Sequence, residues 1–250
     1  MSTAMSPADA KRALLERRLR GEVRPKPDAD PIAPRPAGAP VPVSPEQAHV
    51  WIHAGMAPGV PLYNESVIIH RRGPLDLDAL RRGLDEVLRR HEAWRTSFDL
   101  ADGEVRQVVH PPFPVELPLA DLSALPPEEA EQEALQIAAA DVRSPIGMDA
   151  PPLFRAKVVR LGPERHQLQL TAHHVIFDGV SLYRVLMPEL AASYDAFAAG
   201  RDPALPPPAL QYGDYAVWRR REAAQAERGP QMEYWRSHLA GELPVFFLAF

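Results

Sequence analysis

The chain has 250 residues, of which 46% are hydrophobic and 24% are charged, a composition typical of a globular protein with a substantial core. Its formal net charge of −5 argues against nucleic acid as a partner. The absence of cysteine excludes disulfides, cysteine-ligated metals and a thiol nucleophile. No apolar run approaches the roughly 20 residues of a membrane span, and no signal-peptide core is visible. We therefore expect a cytoplasmic protein that binds neither nucleic acid nor membrane.

The N-terminal region is predicted to lie outside the main folded domain. Residues 1–24 contain a helix pattern, in which Ser6 is placed to cap the helix and Gly21 to end it. Seven prolines without periodicity lie in residues 25–42, a pattern typical of a semi-extended linker. The folded domain is therefore expected over residues 43–250.

Helix and strand patterns follow one another through the first part of this domain, which predicts an α/β fold. Ser44 is placed to cap a first helix, and Asp76 to cap a strongly amphipathic second one. Asp102 and Gly103 form a typical hairpin-turn pair. Two later strands joined by a short Gly-Pro turn are expected to form another hairpin. The segments with strand or helix patterns include Glu65–His70, Val105–Val109, Glu128–Val142, Leu153–Leu161 and His166–Ala172.

Two adjacent histidines lie just after the last of these strands. An Asp-Gly pair and a helix-spaced apolar pattern follow, so residues 173–181 span a strand–loop–helix junction. Neighbouring side chains on a strand point to opposite faces, so only one of His173 and His174 can face a cleft while the other enters the packing. Pro188 is expected to kink the next helix or mark its late start. A lone histidine pair is usually structural, but the acidic residue and glycine at fixed distance favour a functional site.

Four segments in the same order are similar to the motifs of one protein family. Ser44–Trp51 is similar to that family's first motif, and Arg90–Phe98 resembles its second, RHExLRTxF. His173–Ser181 matches HHxxxDGxS, and Tyr212–Trp218 resembles YxDYAVW. The chain therefore resembles the condensation domain of nonribosomal peptide synthetases. Residues 234–241 also look like this family's usual continuation.

This resemblance implies a fold of the α/β (α+β) class. The expected architecture is one chloramphenicol-acetyltransferase-like lobe, with a mixed sheet covered by helices, after an N-terminal helix and a Pro-rich linker. The resemblance covers residues 43–250, which correspond to the first of the family's two lobes. The second lobe has no counterpart, and residues 246–250 leave the family pattern. A truncated chain, a split gene and a degenerate copy are all open.

The resemblance also implies a reaction, in which an acceptor amine attacks a donor thioester. Both substrates are carried on the phosphopantetheine arms of carrier domains, and no cofactor is bound directly. The partners are donor and acceptor carrier domains, adjacent synthetase domains and the missing C-terminal lobe. His174 is the expected catalytic residue, as a base or as a group that positions the amine. His173 is expected to support it by packing or hydrogen bonding.

The segment His173–Ser181 is called the signature below, and its other polar residues and its glycine have two possible roles each. Asp178 could orient His174 as in a triad, but the resemblance favours a structural ion pair with Arg90 or Arg95. Gly179 either lets the backbone approach the substrate and stabilise an oxyanion, or simply turns the chain into the helix. Ser181 is a helix cap or a substrate contact.

Structural roles are expected for the remaining polar and aromatic candidates. His91 shares the apolar face of its helix, which predicts a core histidine. A second Pro-rich loop spans Pro203–Pro208, and the aromatic motif after it is expected to serve packing: Tyr212, Asp214, Tyr215 and Trp218. The other histidines lack metal-ligand spacing with a carboxylate, and no metal is expected: His49, His53, His70, His110, His166 and His238.

Two alternative functions are open at the level of sequence. One is a related acyltransferase that uses acyl-CoA and an alcohol or amine. The segment Arg90–Phe98 argues against this alternative, because it resembles the second motif of the condensation domain. The other is a non-catalytic docking or interaction module that uses residues 1–42 and the surface of the lobe.

Overall fold

A computed structural model of the protein describes residues 31–226 and 229–241. The chain divides into two units, Met1–Ala33 and Pro34–Phe250. The helix predicted in residues 1–24 and the departure from the family pattern predicted in residues 246–250 lie outside the described residues. All the elements described below belong to the second unit.

A four-stranded mixed sheet carries the histidine signature. Its order is β2-β7-β6-β5, with strands Asn64–Arg72 (β2), Leu119–Asp121 (β5), Phe154–Gly162 (β6) and Arg165–His173 (β7). β7 pairs antiparallel with β2 on one side and β6 on the other, while β5 runs parallel to β6. The predicted β6–β7 hairpin and the predicted β2 strand are confirmed.

A smaller three-stranded sheet has the order β1-β4-β3, with strands Val41–Pro42 (β1), Thr96–Ala101 (β3) and Glu104–Val109 (β4). The turn between β3 and β4 has positive φ at both Asp102 (55°) and Gly103 (79°). Two successive positive φ values are what a two-residue hairpin of matching twist requires, and the Asp-Gly prediction is confirmed.

Helices surround the larger sheet, and the two predicted N-caps are confirmed. The Ser44 side chain accepts from the Gln47 N–H in a reciprocal capping box, and the Asp76 side chain accepts from the Ala79 N–H. None of the described helices is long and apolar enough to cross a membrane. The helical elements are Pro45–Met56 (α1), Leu77–Arg90 (α2), a 3₁₀-helix at Glu92–Arg95, Pro127–Arg143 (α3), a π-helix at Ser181–Leu186, Met187–Ala198 (α4), Tyr212–Ala226 (α5) and Pro230–His238 (α6).

The two faces of the larger sheet are covered by different kinds of surface. On one face, Leu168 and Leu170 of β7 belong to the main hydrophobic core, together with apolar residues of α2 and α4. On the other face, α3 presents a row of buried alanines, and Gln169 Nε2 donates to the carbonyl of Ala134 at 2.9 Å. The expected architecture of a mixed sheet covered by helices is confirmed.

The polar face of β7 is more buried than its alternating sequence predicts. Gln167, Gln169 and Thr171 are exposed by only 4%, 2% and 2%, although alternation predicts one face in water. The cause is α3, whose small alanines allow a close approach to the sheet. β7 is therefore buried on both faces.

The folded unit begins earlier than the predicted boundary at residue 43. Arg35 Nη1 lies 2.9 Å from Asp214 Oδ1, and Arg35 Nη2 lies 2.5 Å from Glu92 Oε2. Val41 is 7% exposed and pairs with β4. The prolines of this segment are compatible with an extended chain at the edge of a sheet. The Arg35 side chain joins the segment to the helical residues Glu92 and Asp214.

Gly213 in α5 has no room for a larger side chain. An added Cβ would lie 2.7 Å from Arg35 Nη1 and 2.8 Å from Val41 Cγ1. We expect Gly213→Ala to lower the free energy of unfolding by about 1–3 kcal/mol, because the ion-paired Arg35 and β1 must shift.

Gly55 in α1 is the matched control, because its added Cβ would meet no atom within 4 Å. Gly55→Ala should be neutral or stabilising by less than about 1 kcal/mol. Urea unfolding of both variants measures the difference, and equal effects would contradict the packing argument.

Candidate active site

The two histidines of the signature have different environments. β7 ends at His173, and the His174 N–H donates to the carbonyl of Tyr63 at 2.8 Å. His173 is 4% exposed, whereas the side chain of His174 is 37% exposed. One histidine therefore enters the packing and the other faces outward, as the alternation along a strand predicts.

The ring of His174 is oriented by the loop that follows it. Its Nδ1 atom lies 2.7 Å from the carbonyl oxygen of Phe177. Because a carbonyl only accepts hydrogen bonds, Nδ1 must carry a proton, which leaves Nε2 as the accepting nitrogen of the neutral ring. Nε2 lies on the opposite edge of the ring, 3.2 Å from Glu65 Oε1. The available edge of the imidazole is therefore the one that can accept a proton.

His173 is neutral in the folded protein at physiological pH. Burial lowers its pKa to about 4, and the adjacent His174 contributes in the same direction. Its Nδ1 accepts a hydrogen bond from the Val175 N–H at 3.2 Å. His173 is therefore held inside the fold by packing and a hydrogen bond, and its role as a support for His174 stays a prediction.

Asp178 caps the helix that follows the signature. Its Oδ1 accepts from the Ser181 N–H at 2.7 Å, and the Ser181 Oγ accepts from the Asp178 N–H at 2.7 Å. The Leu182 N–H then bonds to the Asp178 carbonyl at 2.9 Å, which is the first helical hydrogen bond. This reciprocal pattern is a capping box. The pKa of Asp178 is lowered, first by the Ser181 N–H, which outweighs the effect of partial burial.

The predicted ion pair of Asp178 with Arg90 or Arg95 is wrong in this structure. Asp178 is exposed, so it does not need a buried cation. Arg90 Nε instead lies 2.7 Å from Glu189 Oε2, and Arg95 donates to the backbone carbonyl of His110. The triad alternative also fails, because Nδ1 of His174 is bonded to a backbone carbonyl.

Arg90 holds together α2, α4 and the second Pro-rich loop. Besides Glu189, it donates to the carbonyls of Leu205 (3.2 Å) and Pro206 (2.6 Å). Burial alone would raise the pKa of Glu189, but hydrogen bonds from Arg90 and His91 hold it below its usual value. His91 is therefore a hydrogen-bond partner of Glu189, with its Nε2 2.8 Å from Oε2, and not the core histidine predicted.

Ser181 and Gly179 take local roles in the helix start. Ser181 is the second half of the capping box, which is the cap function that the sequence left open. An added Cβ at Gly179 would meet open space, so packing does not demand glycine there. Gly179 lies in the first helical turn, where a backbone N–H has no carbonyl one turn earlier to bond.

The helix after the signature begins at Gly179 and continues without a break to Ala198, so Pro188 does not delay its start. Ser181–Leu186 forms a π-helix, in which the Met187 N–H bonds to the carbonyl of Leu182. Pro188 follows this π-helix at the second residue of α4, and because proline has no N–H, one carbonyl of the preceding turn lacks its helical hydrogen bond. Val180 and Tyr183 are 67% and 64% exposed beside the signature.

The motif at residues 212–218 contacts residues 35–44 at the start of the folded unit. Tyr212 Oη lies 3.0 Å from Ser44 Oγ, and Asp214 pairs with Arg35. The expected structural role of these residues is confirmed, although hydrogen bonds contribute as well as aromatic packing. Among the described residues, no group of three or more His, Asp or Glu side chains is arranged to hold a metal ion.

Sequence reasoning missed one residue of the site, Glu65. It pairs in register with Ala172, two residues before His174, and its side chain is 52% exposed. The sequence identified the strand that carries Glu65 but contained no signal for its register against β7.

Comparison with known proteins identifies the family. Residues 39–249 match the sequence profile described as "Condensation domain". The chain belongs to the condensation-domain family. It is 38% identical over 248 residues to the phosphinothricin tripeptide synthetase PhsC of Streptomyces viridochromogenes, covering 99% of this chain and 22% of PhsC. It is 36% identical over 204 residues to the enniatin synthetase of Fusarium oxysporum, covering 80% of this chain and 6% of that protein.

Solved structures show the same fold. The X-domain in complex with OxyB from teicoplanin biosynthesis aligns with a TM-score of 0.74 and 30% identity, over 87% of this chain and 47% of the other. The starter condensation domain of rhizomide synthetase RzmA aligns with a TM-score of 0.71 and 22% identity, over 81% and 48%. The predicted chloramphenicol-acetyltransferase-like lobe is thus confirmed, and the chain spans about half of these solved domains.

The capping role of Asp178 gives a stability prediction. Asp178→Ala should lower the free energy of unfolding by about 1–2 kcal/mol, because the Ser181 N–H loses its acceptor. Asp178→Asn is the matched control, since its amide oxygen can still cap.

The folded pKa of Asp178 is depressed, so the stabilisation by its charge is present above the unfolded pKa of about 4 and is lost as the pH falls through the folded pKa. The difference in the free energy of unfolding between the natural protein and Asp178→Asn should therefore shrink as the pH falls through this range. Urea unfolding at a series of pH values measures it. A difference that persists at pH 2 would contradict this role of the charge.

The burial of neutral His173 predicts a second pH effect. Its folded pKa of about 4 lies below the unfolded value of about 6.5, so the unfolded state binds more protons between these values. Stability should therefore fall by about 1–2 kcal/mol from pH 7 to pH 5 because of this one group.

His173→Asn should remove this contribution, because Asn can keep an acceptor near the Nδ1 position without titrating. His70→Asn, at an exposed position of β2, is the control. If urea unfolding showed the same pH slope for the natural protein and both variants, His173 would not be the group responsible.

Proposed function

We propose that this chain is the histidine-bearing lobe of an amide-forming condensation domain. The proposed reaction joins an acceptor amine to a donor acyl thioester, each held on the phosphopantetheine arm of a carrier domain. The observation that carries the proposal is the half-exposed Nε2 edge of His174, whose accepting state is set by the bond from Nδ1 to Phe177. The similarity to peptide synthetases such as PhsC supports this class of reaction.

The chemistry requires a neutral amine at the donor carbonyl. An ammonium has no lone pair, so one proton must leave before attack, and Nε2 of His174 can accept it. The amine nitrogen then forms a bond to the carbonyl carbon, the carbon–sulfur bond breaks, and the second N–H proton passes to the departing sulfur to give the free thiol. Holding the two substrates together supplies a large further part of the acceleration. The backbone N–H of Gly179 is the proposed donor to the developing oxyanion.

The site on this lobe is open on one side. The His174 side chain is 37% exposed, and Val180 and Tyr183 beside it are largely exposed. Because the chain spans about half of the solved domains, we expect condensation only when the remaining half is present. Donor and acceptor carrier domains and adjacent synthetase domains are the proposed partners, in a cytoplasmic setting, and no directly bound cofactor is required.

A second candidate function is protein recruitment without chemistry. It is supported by the similarity to an X-domain that was solved in complex with OxyB. The CoA-dependent acyltransferase alternative is not favoured by the relatives, which include the tripeptide synthetase PhsC.

His174→Ala in the complete condensation domain should abolish most of the amide formation between loaded carrier proteins. We expect a loss of about 10²- to 10⁴-fold, the usual contribution of a general base, with an unchanged unfolding midpoint. His70→Ala, an exposed histidine on β2, is the matched control and should retain full activity.

The alternatives give different results in the same assay. Acylation from a free CoA thioester without a carrier would support the CoA-dependent enzyme. Binding of another synthetase domain or a tailoring protein that survives His174→Ala, with no amide formed by the natural protein, would support recruitment. Full activity of His174→Ala would contradict the proposed role of this residue.

A further inference from the structure

We infer that Glu65 is a positioning residue of this site, which holds a cationic acceptor amine beside His174. This inference rests on the proposed function, because it names the group that receives the acceptor. The juxtaposition that carries it is the 3.2 Å separation between Glu65 Oε1 and His174 Nε2.

The fold places Glu65 at the end of a strand and beside the open site. Glu65 pairs with Ala172, while Val67 pairs with Leu170 and Ile69 with Leu168. Side chains two residues apart share a face, so Glu65 lies on the same face of β2 as Val67 and Ile69. Those two residues pack against the hydrophobic core, whereas the Glu65 side chain is 52% exposed. The carboxylate therefore lies where the core ends and the site begins.

The contact between these two groups is incomplete without a further proton. Nδ1 of His174 already donates to Phe177, so the neutral ring presents only a lone pair at Nε2. A lone pair and a carboxylate oxygen repel each other, so the contact needs a proton between them. It comes either from an imidazolium N–H at Nε2 or, with the neutral ring, from a bound hydrogen-bond donor. An ammonium group has three N–H donors, so it can give one hydrogen bond to Nε2 and another to Glu65.

The charges around the site favour a cation. The negative charge of Asp178 interacts with His174, and the other neighbouring histidine, His173, is buried and neutral. Other carboxylates of the described residues have a lysine or arginine partner, as in the pairs Lys157–Asp141, Arg90–Glu189 and Arg35–Asp214. Within residues 31–226 and 229–241, the ion-pair contact of Glu65 is with His174 alone. The site therefore has a carboxylate without a permanent cation.

The proposed step moves a single proton. One N–H proton of the acceptor ammonium passes to Nε2 of His174, which leaves a neutral amine and an imidazolium, and no other bond changes. The carboxylate of Glu65 then faces the imidazolium and stabilises it by a charge-assisted hydrogen bond. Glu65 thus attracts the acceptor before proton transfer and holds His174 after it.

The kinetic test uses the complete protein that contains this chain, with a soluble aminoacyl N-acetylcysteamine thioester as the acceptor probe. Glu65→Gln should raise the KM for the acceptor about two- to fivefold, the effect of an exposed ion pair, and leave the KM for the donor unchanged. Glu65→Asp should restore part of the loss, because it keeps the charge. Glu104→Gln, an exposed glutamate of β4, is the matched control and should behave as the natural protein.

A second measurement does not depend on activity. In the natural chain labelled with ¹⁵N-histidine, Glu65→Gln should shift the His174 Nε2 resonance, whereas Glu104→Gln should not. An unchanged Nε2 resonance in Glu65→Gln would overturn the inference, and so would an acceptor KM equal to that of Glu104→Gln. The proposed function would still stand in either case if the natural protein formed the amide. No amide from carrier-bound substrates would instead refute the proposed function, with the resonance still testing the contact.

Discussion

The antiparallel pairing of β7 with β2 is the constraint on which the site depends. β7 is also paired with β6, so its position is fixed by strands on both sides. Its register places the backbone of Tyr63 against His174 and the side chain of Glu65 near the same ring. A shift by one residue would exchange the two faces and bring His173 outward. The buried leucines on one face of β7 make that shift costly, so packing of the core also orients the candidate catalytic residue.

The polar residues of the signature have separate tasks. His174 presents Nε2 because its other nitrogen is bonded to Phe177, and His173 stays neutral inside the fold. Asp178 starts the next helix through its reciprocal bonds with Ser181. The chain therefore turns sharply after the strand and exposes one imidazole edge.

The strongly basic motif near the end of α2 is structural in this lobe. Arg90 is nearly buried and joins α2 to α4 and to the second Pro-rich loop through Glu189 and two carbonyls. Arg95 contacts the backbone of His110, and Glu92 pairs with Arg35 of the N-terminal segment. These bonds tie the motif to α4, to the second Pro-rich loop and to the segment that contains Arg35. Membership of the condensation-domain family is consistent with such a scaffold, because a lobe that forms half of a site must keep its own shape.

The sequence by itself determined the family, the positions of the main helices and strands, and the stretch that forms the site. These depend on local signals, namely the periodicity around Leu80 and Leu84, the caps Ser44 and Asp76, and the turn at Asp102 and Gly103. Only the tertiary structure decided the partners of charged groups and the extent of the folded unit. Asp178 and Arg90 are far apart in sequence, as are Glu65 and His174, and charge alone does not select one partner among many. Strand register and helix packing make that selection, because they fix which side chains come within a few ångströms of each other.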